Sequence, residues 1–266
     1  MTESIFEKRG ICYRTNEFQI GRPTLVFIHG LSGSASAWFL YENVFESAYN
    51  VLTFDLRGHG KSTKFKRYEE YVLQSSADDV YELLNYLKIE KYILISHSYG
   101  TLVALELLNV HQEKVSKIIF LSPTAFLSQT KWFWVVKIIG TVFITLFKII
   151  PFHPVVRERV DYTPFKNTGD WNLRRLFKDI RTTSVRVYLY CLVQAYTKNY
   201  DELWATISVP TMIMHGTEDS IIPVQHTIQL AKEISGSKLV LLERANHIIV
   251  LNNMNKVVEH IESFLV

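Results

Sequence analysis

The sequence predicts an α/β fold, with a mostly parallel, twisted sheet covered by helices on both faces and a helical insertion late in the order. Three observations carry this. Short apolar runs ending in turn residues recur along the chain, helical apolar periods lie between them, and the alternation breaks once, between Pro123 and Pro210. The 266 residues, 48% hydrophobic and 21% charged, exclude whole-chain disorder and are enough for one sizeable core with an insertion.

The first element reads as an edge hairpin, Phe6 to Arg9 and Ile11 to Arg14 on either side of Gly10. Apolar runs follow at Thr24 to Ile28, Val51 to Phe54, Tyr92 to Ile95, Ile118 to Leu121, Thr211 to Met214 and Lys238 to Leu242. Each is short and continuous, as a strand buried on both faces should be. Ala77, Val80, Leu83, Leu84 and Leu87 recur at three- and four-residue steps, as do Leu102, Leu105 and Leu108, so each set forms one apolar helix side. This alternation demands right-handed crossovers and places ligands at the carboxyl ends of the strands. The expected division is a core of residues 1–123 and 207–266 with a helical cap, residues 124–206, too long for an ordinary crossover.

Charge and cysteine usage narrow the function classes. Twenty-nine Lys and Arg against 26 Asp and Glu give +3, too small and dispersed for a nucleic-acid partner. Cys12 and Cys191 are far apart and outside any C-x-x-C pattern, so no disulfide framework or cysteine zinc site is expected. The first nine residues hold no apolar stretch of signal-peptide length, and the default location is cytoplasmic.

Ser96-His97-Ser98-Tyr99-Gly100 stands between the apolar run Tyr92 to Ile95 and the helix of Leu102 and Leu105. This is the setting of a nucleophile elbow, in which a tight strand-to-helix turn pushes Ser98 clear of the sheet and needs small residues two positions either side. Ser96 stands where that pattern has glycine, and it adds little bulk. With His29-Gly30-Leu31 and Asp55-Leu56-Arg57-Gly58-His59-Gly60-Lys61-Ser62, also at strand ends, the chain resembles the α/β-hydrolase fold superfamily in its cap-bearing esterase and lipase branch. The resemblance spans nearly the whole chain outside the cap. It implies an α/β-hydrolase fold, and it reads His29-Gly30-Leu31 as an oxyanion loop and the Asp55 turn as a loop that Asp55 and Arg57 organise.

A serine alcohol is a poor nucleophile near neutral pH, so an imidazole must take its proton and an acid must orient that imidazole. His247, just past the last strand, stands where the resemblance puts the base. His97 should leave the turn in another direction, and His111, His153, His226 and His260 read as surface or packing residues. Asp219 is the expected acid, giving the chain order Ser98, Asp219, His247, with Glu218 its immediate rival. Backbone N–H groups of Leu31 and Tyr99 are the expected oxyanion donors, Tyr99 with the added advantage of heading a helix. Ser98, in place of Asp or Cys, disfavours dehalogenase, epoxide hydrolase and dienelactone hydrolase activity. No phosphate loop, dinucleotide fingerprint or metal-ligand cluster appears, and no cofactor is implied.

Within the cap, Trp132 to Ile150 is almost wholly apolar, but Lys137 and Lys148 limit its uncharged run to ten residues, short of the roughly 20 that span a bilayer. Thr130, Lys137, Thr141, Thr145 and Lys148 form one thin polar stripe on a helix, so such a helix should be covered on more than one side. The rest of the cap and the core, a lipid surface and a dimer partner are the three covers available. Trp132, Phe133 and Phe143 are the candidate substrate contacts. From Phe126 to Trp204 there are 12 basic and six acidic residues, a net +6. The resulting expectation is a serine hydrolase acting on small-molecule carboxylic esters with lipophilic acyl groups, through an acyl-enzyme. A carbon–carbon hydrolase of the same fold, and a weakly catalytic ligand-binding or membrane-associated relative, are the alternatives.

Overall fold

The computed structural model describes residues 1–197 and 199–266; Lys198, counted above among the basic residues of the insertion, lies outside them. Eight strands form one sheet: β1 (Thr2–Phe6), β2 (Ile11–Thr15), β3 (Thr24–Ile28), β4 (Asn50–Phe54), β5 (Tyr92–His97), β6 (Val115–Leu121), β7 (Thr211–Gly216) and β8 (Lys238–Leu242). Their order across the sheet is β1-β2-β4-β3-β5-β6-β7-β8. β2 runs antiparallel to β1 and β4, and every other pairing is parallel, as crossover connections require.

Alternate residues of the central strands feed two cores. Val26, Ile28, Leu94, Ile118 and Phe120 pack on one face against α2 (Leu73–Tyr86) and α3 (Gly100–His111), through Val80, Leu83, Leu84, Leu102 and Leu105. Leu25, Phe27, Ile93, Ile95, Ile119 and Leu121 face the other side, against α1 (Phe39–Phe45) and α9 (Met254–Leu265). This period of two explains why the strands read as unbroken apolar runs, because each must be apolar on both sides.

The edge hairpin forms with a different register from the one expected. Glu7 to Arg9 belong to the turn, and the first strand lies earlier, at Thr2–Phe6. The charged residues are drawn off the sheet: Lys8 and Arg9 both pair with Glu82 on α2, and Arg9 also approaches Asp79. Gly10 closes the turn with φ +63°, and a side chain there would overlap Thr63.

Between β6 and β7 come α4 (Phe133–Ile149), α5 (Leu173–Thr183) and α6 (Val185–Thr197). α4 rests on α6 at Gly140, where an added Cβ would lie 2.2 Å from Val193 Cγ2, and at buried Ile144. Among the described residues, the rest of the insertion and the core leave its other sides uncovered. After α4 the chain runs on without regular structure to Tyr162 and carries Arg159 to Asp55 and Glu3, so it does not fold back over the helix.

Two short helices, α7 (Val224–Glu233) and α8 (Ile249–Asn252), follow β7 and β8.

Candidate active site

Ser98 sits between β5 and α3 with φ +50°, a left-handed conformation uncommon for a residue with a side chain. Its N–H donates to Leu121 O at 3.0 Å, while its carbonyl accepts from Thr101 N and Thr101 Oγ1 at 2.9 and 2.7 Å. The turn is tight enough to exclude side chains beside it. A Cβ on Gly100 would lie 2.5 Å from His29 O, and one on Gly30 would lie 3.2 Å from Ser98 Cβ. Ser96, the departure from glycine, is accommodated with its buried hydroxyl left without a partner among the described residues.

His247 Nε2 lies 2.8 Å from Ser98 Oγ, and its Nδ1 lies 2.7 Å from Asp219 Oδ2. A carboxylate can only accept, so Nδ1 carries the proton and Nε2 is free to accept from the Ser98 hydroxyl. Asp219 Oδ1 accepts in turn from the N–H groups of Ile221 and Ile222, both at 2.8 Å. Burial pushes the Asp219 carboxyl up, but the charge and hydrogen bond of His247, with His215 and the Ile222 N–H, outweigh it and hold its pKa below the ordinary value. Sequence order thus becomes a connected relay from acid to hydroxyl.

Glu218 is exposed and takes no part in this relay. His97 donates from Nε2 to His247 O at 3.1 Å and not to Ser98; burial first, and then the neighbouring His247, lower its pKa to about 3. His111 stacks on Tyr81 with ring centres 3.6 Å apart. Asp55 is tied to Ala35 N, Lys61 N and Arg159, and Arg57 grips Asp79 with two 2.7 Å bonds, so both organise loops.

Two partners of the relay escaped the sequence reading. His215 Nε2 faces both Asp219 Oδ2 at 3.2 Å and Ile222 O at 3.1 Å, which fixes its proton on Nε2 and makes the Thr227 hydroxyl the donor to Nδ1 at 2.8 Å. Its place four residues before Asp219, at the end of a buried strand, was the available signal. Asp170, between α4 and α5, accepts from His247 N at 2.9 Å and from Ser220 N and Oγ at 3.0 and 2.7 Å. Nothing in the local sequence marks it.

Leu31 and Tyr99 line the same cavity as Ser98, and among the described residues neither N–H donates to a protein acceptor. The cavity holds about 190 Å³ and is roofed by Leu176, Tyr188, Leu192 and Tyr196. Trp132, Phe133 and Phe143 do not line it. Trp132 and Phe143 face solvent, and Phe133 lines an adjoining cleft, because α6 stands between α4 and the cavity. One wall is polar: the Tyr162 hydroxyl donates to Asp179 at 2.9 Å, and Arg175 lies 3.6 Å from the same carboxylate. Burial raises the Asp179 pKa to about 6 despite both neighbours, and Arg175 Nε has no hydrogen-bond partner among the described residues. A larger cleft of about 600 Å³ between Glu3, Arg14 and Arg159 lacks Ser98 and His247.

Residues 23–253 match the family model described as alpha/beta hydrolase fold. A Haemophilus influenzae protein that carries an esterase/lipase name is 24% identical over 253 residues, covering 92% of this chain and 84% of that protein. Epoxide hydrolase 4 of Mus musculus is 23% identical over 225 residues, with 77% of this chain covering 62% of that protein's length. A thermophilic esterase from Thermogutta terrifontis superposes with a TM-score of 0.72 at 20% identity, covering 96% of this chain and 93% of its own. The match of the family model over most of the chain, with the sheet order and strand-end turns described above, shows that the chain belongs to the α/β-hydrolase fold family.

Proposed function

We propose that the protein is a serine hydrolase that cleaves carboxylic esters with lipophilic acyl groups through an acyl-enzyme. The observation that carries this reading is the relay from Asp219 through His247 to Ser98, opening into a largely apolar cavity. Ser98 Oγ attacks the acyl carbon as its proton passes to His247 Nε2. Charge then builds on the carbonyl oxygen beside the Leu31 and Tyr99 N–H groups, which cost no reorganisation because the backbone already holds them. Collapse of the tetrahedral adduct breaks the bond to the alcohol oxygen, which takes the proton from His247. Water, deprotonated by the same imidazole, then attacks the acyl-Ser98 ester, and collapse returns a proton to Ser98.

Residues 124–206 act as a cap in this reading, with Leu176, Leu192 and Tyr196 holding the acyl chain. The Tyr162, Asp179 and Arg175 wall suits a hydroxyl-bearing alcohol group, as in a monoacylglycerol. Serine at position 98 speaks against the epoxide chemistry that one relative's name carries. The free buried thiols of Cys12 and Cys191 fit a cytoplasmic setting.

Hydrolysis of p-nitrophenyl esters of increasing acyl length tests the reading. The expected result is efficiency rising roughly tenfold for about two added methylenes, each contributing about 0.8 kcal/mol, up to a pocket limit. Activity must vanish in Ser98→Ala. A preference for the shortest esters, or activity surviving that substitution, would reject it. Arg175 Nε favours one second reading, a carbon–carbon hydrolase whose substrate carboxylate it would meet. Turnover of dienone acids without ester turnover would select it.

A further inference from the structure

α4 is an apolar helix with only one side covered. Projected at 3.6 residues per turn, Phe133, Gly140, Ile144 and Phe147 fall in one narrow sector, and this sector meets α6. Lys137, Thr141, Thr145 and Lys148 flank it on one side. The opposite arc, about 140° of the circumference, holds Ile138, Ile139, Val142, Phe143, Leu146 and Ile149, all exposed, with Ile149 reaching 79%. An apolar arc of this length left in water marks a binding surface.

The charge around the arc identifies what covers it. No acidic residue occurs between Glu113 and Glu158, while Lys131, Lys137 and Lys148 lie on or beside the helix. Trp132 and Trp134 are exposed at its N-terminal end, with Lys131 Nζ 5.5 Å from the Trp132 ring centre and Lys137 Nζ 5.4 Å from that of Trp134. Aromatic rings and unopposed lysines on one apolar helix match an anionic interface, where rings sit among headgroups and lysines reach phosphates. A second copy of the chain would bring the same lysines to the contact. Among the described residues no helix is long and apolar enough to cross a membrane, so the helix lies in the plane.

We propose that α4 docks the protein on anionic phospholipid bilayers, with its apolar arc at the acyl boundary and its lysines among the headgroups. The cleft that Phe133 lines shares Thr124, Leu127, Ala195 and Tyr196 with the Ser98 cavity. The binding claim stands apart from the reading of Ser98 as a nucleophile.

Co-sedimentation of the full chain with phosphatidylcholine vesicles, with and without phosphatidylglycerol, tests it. Binding is expected to be stronger on the anionic vesicles, to weaken with salt, and to fall roughly tenfold or more in Ile138→Asp/Val142→Asp and several-fold in Trp132→Ala/Trp134→Ala. The aspartate variant should keep its hydrolysis of water-soluble esters, which separates lost docking from lost folding. Brominated lipid gives a second readout in a Trp171→Phe background, where Trp38 and Trp204 are fully buried and Trp132 and Trp134 are the exposed tryptophans left. Quenching of tryptophan fluorescence by these vesicles is expected. Absence of vesicle binding, binding indifferent to the α4 substitutions, or a dimer that the aspartates dissociate without any vesicle binding would each overturn the proposal.

Discussion

The carboxylate of Asp170, borne by the segment between α4 and α5, accepts the backbone N–H of His247 at 2.9 Å and holds Ser220, the neighbour of Asp219, with its other oxygen. One residue of the insertion thus spans the loops that carry the imidazole and the acid. In Asp170→Ala the His247 loop loses that support, and kcat for a p-nitrophenyl ester is expected to drop roughly 10- to 100-fold with KM little changed. A rise in KM alone would assign Asp170 to substrate binding instead.

Ser98, His247 and Asp219 are joined by hydrogen bonds, and in the proposed mechanism they act as one unit, so Ser98→Ala, His247→Ala and Asp219→Asn should each cost roughly a thousandfold or more in kcat. Adding either of the latter two to Ser98→Ala should cost little more. Steady-state kinetics of singles and doubles checks this, and multiplied losses would deny the coupling. Loss of activity in Glu218→Gln with Asp219→Asn unaffected would transfer the acid role to Glu218.

Gly100→Ala should destabilise the fold by about 3 kcal/mol or more, because the new Cβ would lie 2.5 Å from His29 O and 2.8 Å from Ile28 O, both backbone atoms that cannot step aside. Chemical denaturation measures it. A change within 0.5 kcal/mol or so would mean the turn has slack.

His59 is buried beside His29, with ring centres 5.2 Å apart, and burial lowers its pKa from 6.5 to about 3. An unfolded chain therefore binds a proton that the native one refuses, and stability declines as pH falls from 6.5 toward 3. His59→Gln should reduce the proton uptake on unfolding at pH 5 by roughly one. Thermal midpoints between pH 4 and 7 read it out, and parallel curves for the two proteins would contradict the assignment.

Much of this arrangement is legible in the chain because buried strands must be apolar on both faces, so Thr24–Ile28 and Lys238–Leu242 fall where the apolar runs do. Ser98, Asp219 and His247 are legible through the resemblance to the α/β-hydrolase fold, whose elbow and chain order they match, and each follows a strand of the parallel part of the sheet, β5, β7 and β8. What fails is whatever depends on distant partners. Glu7 to Arg9 leave the hairpin to meet α2, and Trp132 and Phe143 miss the cavity because α6 intervenes. Asp170 reaches His247 across 77 positions of sequence, a distance no local pattern spans.

Mass spectrometry of the protein after reaction with a fluorophosphonate tests the central claim most directly. One covalent adduct is expected on the peptide bearing Ser98, absent from Ser98→Ala and formed far more slowly in His247→Ala. An unmodified protein, or an adduct on any other residue, would contradict the assignment of Ser98 as the nucleophile.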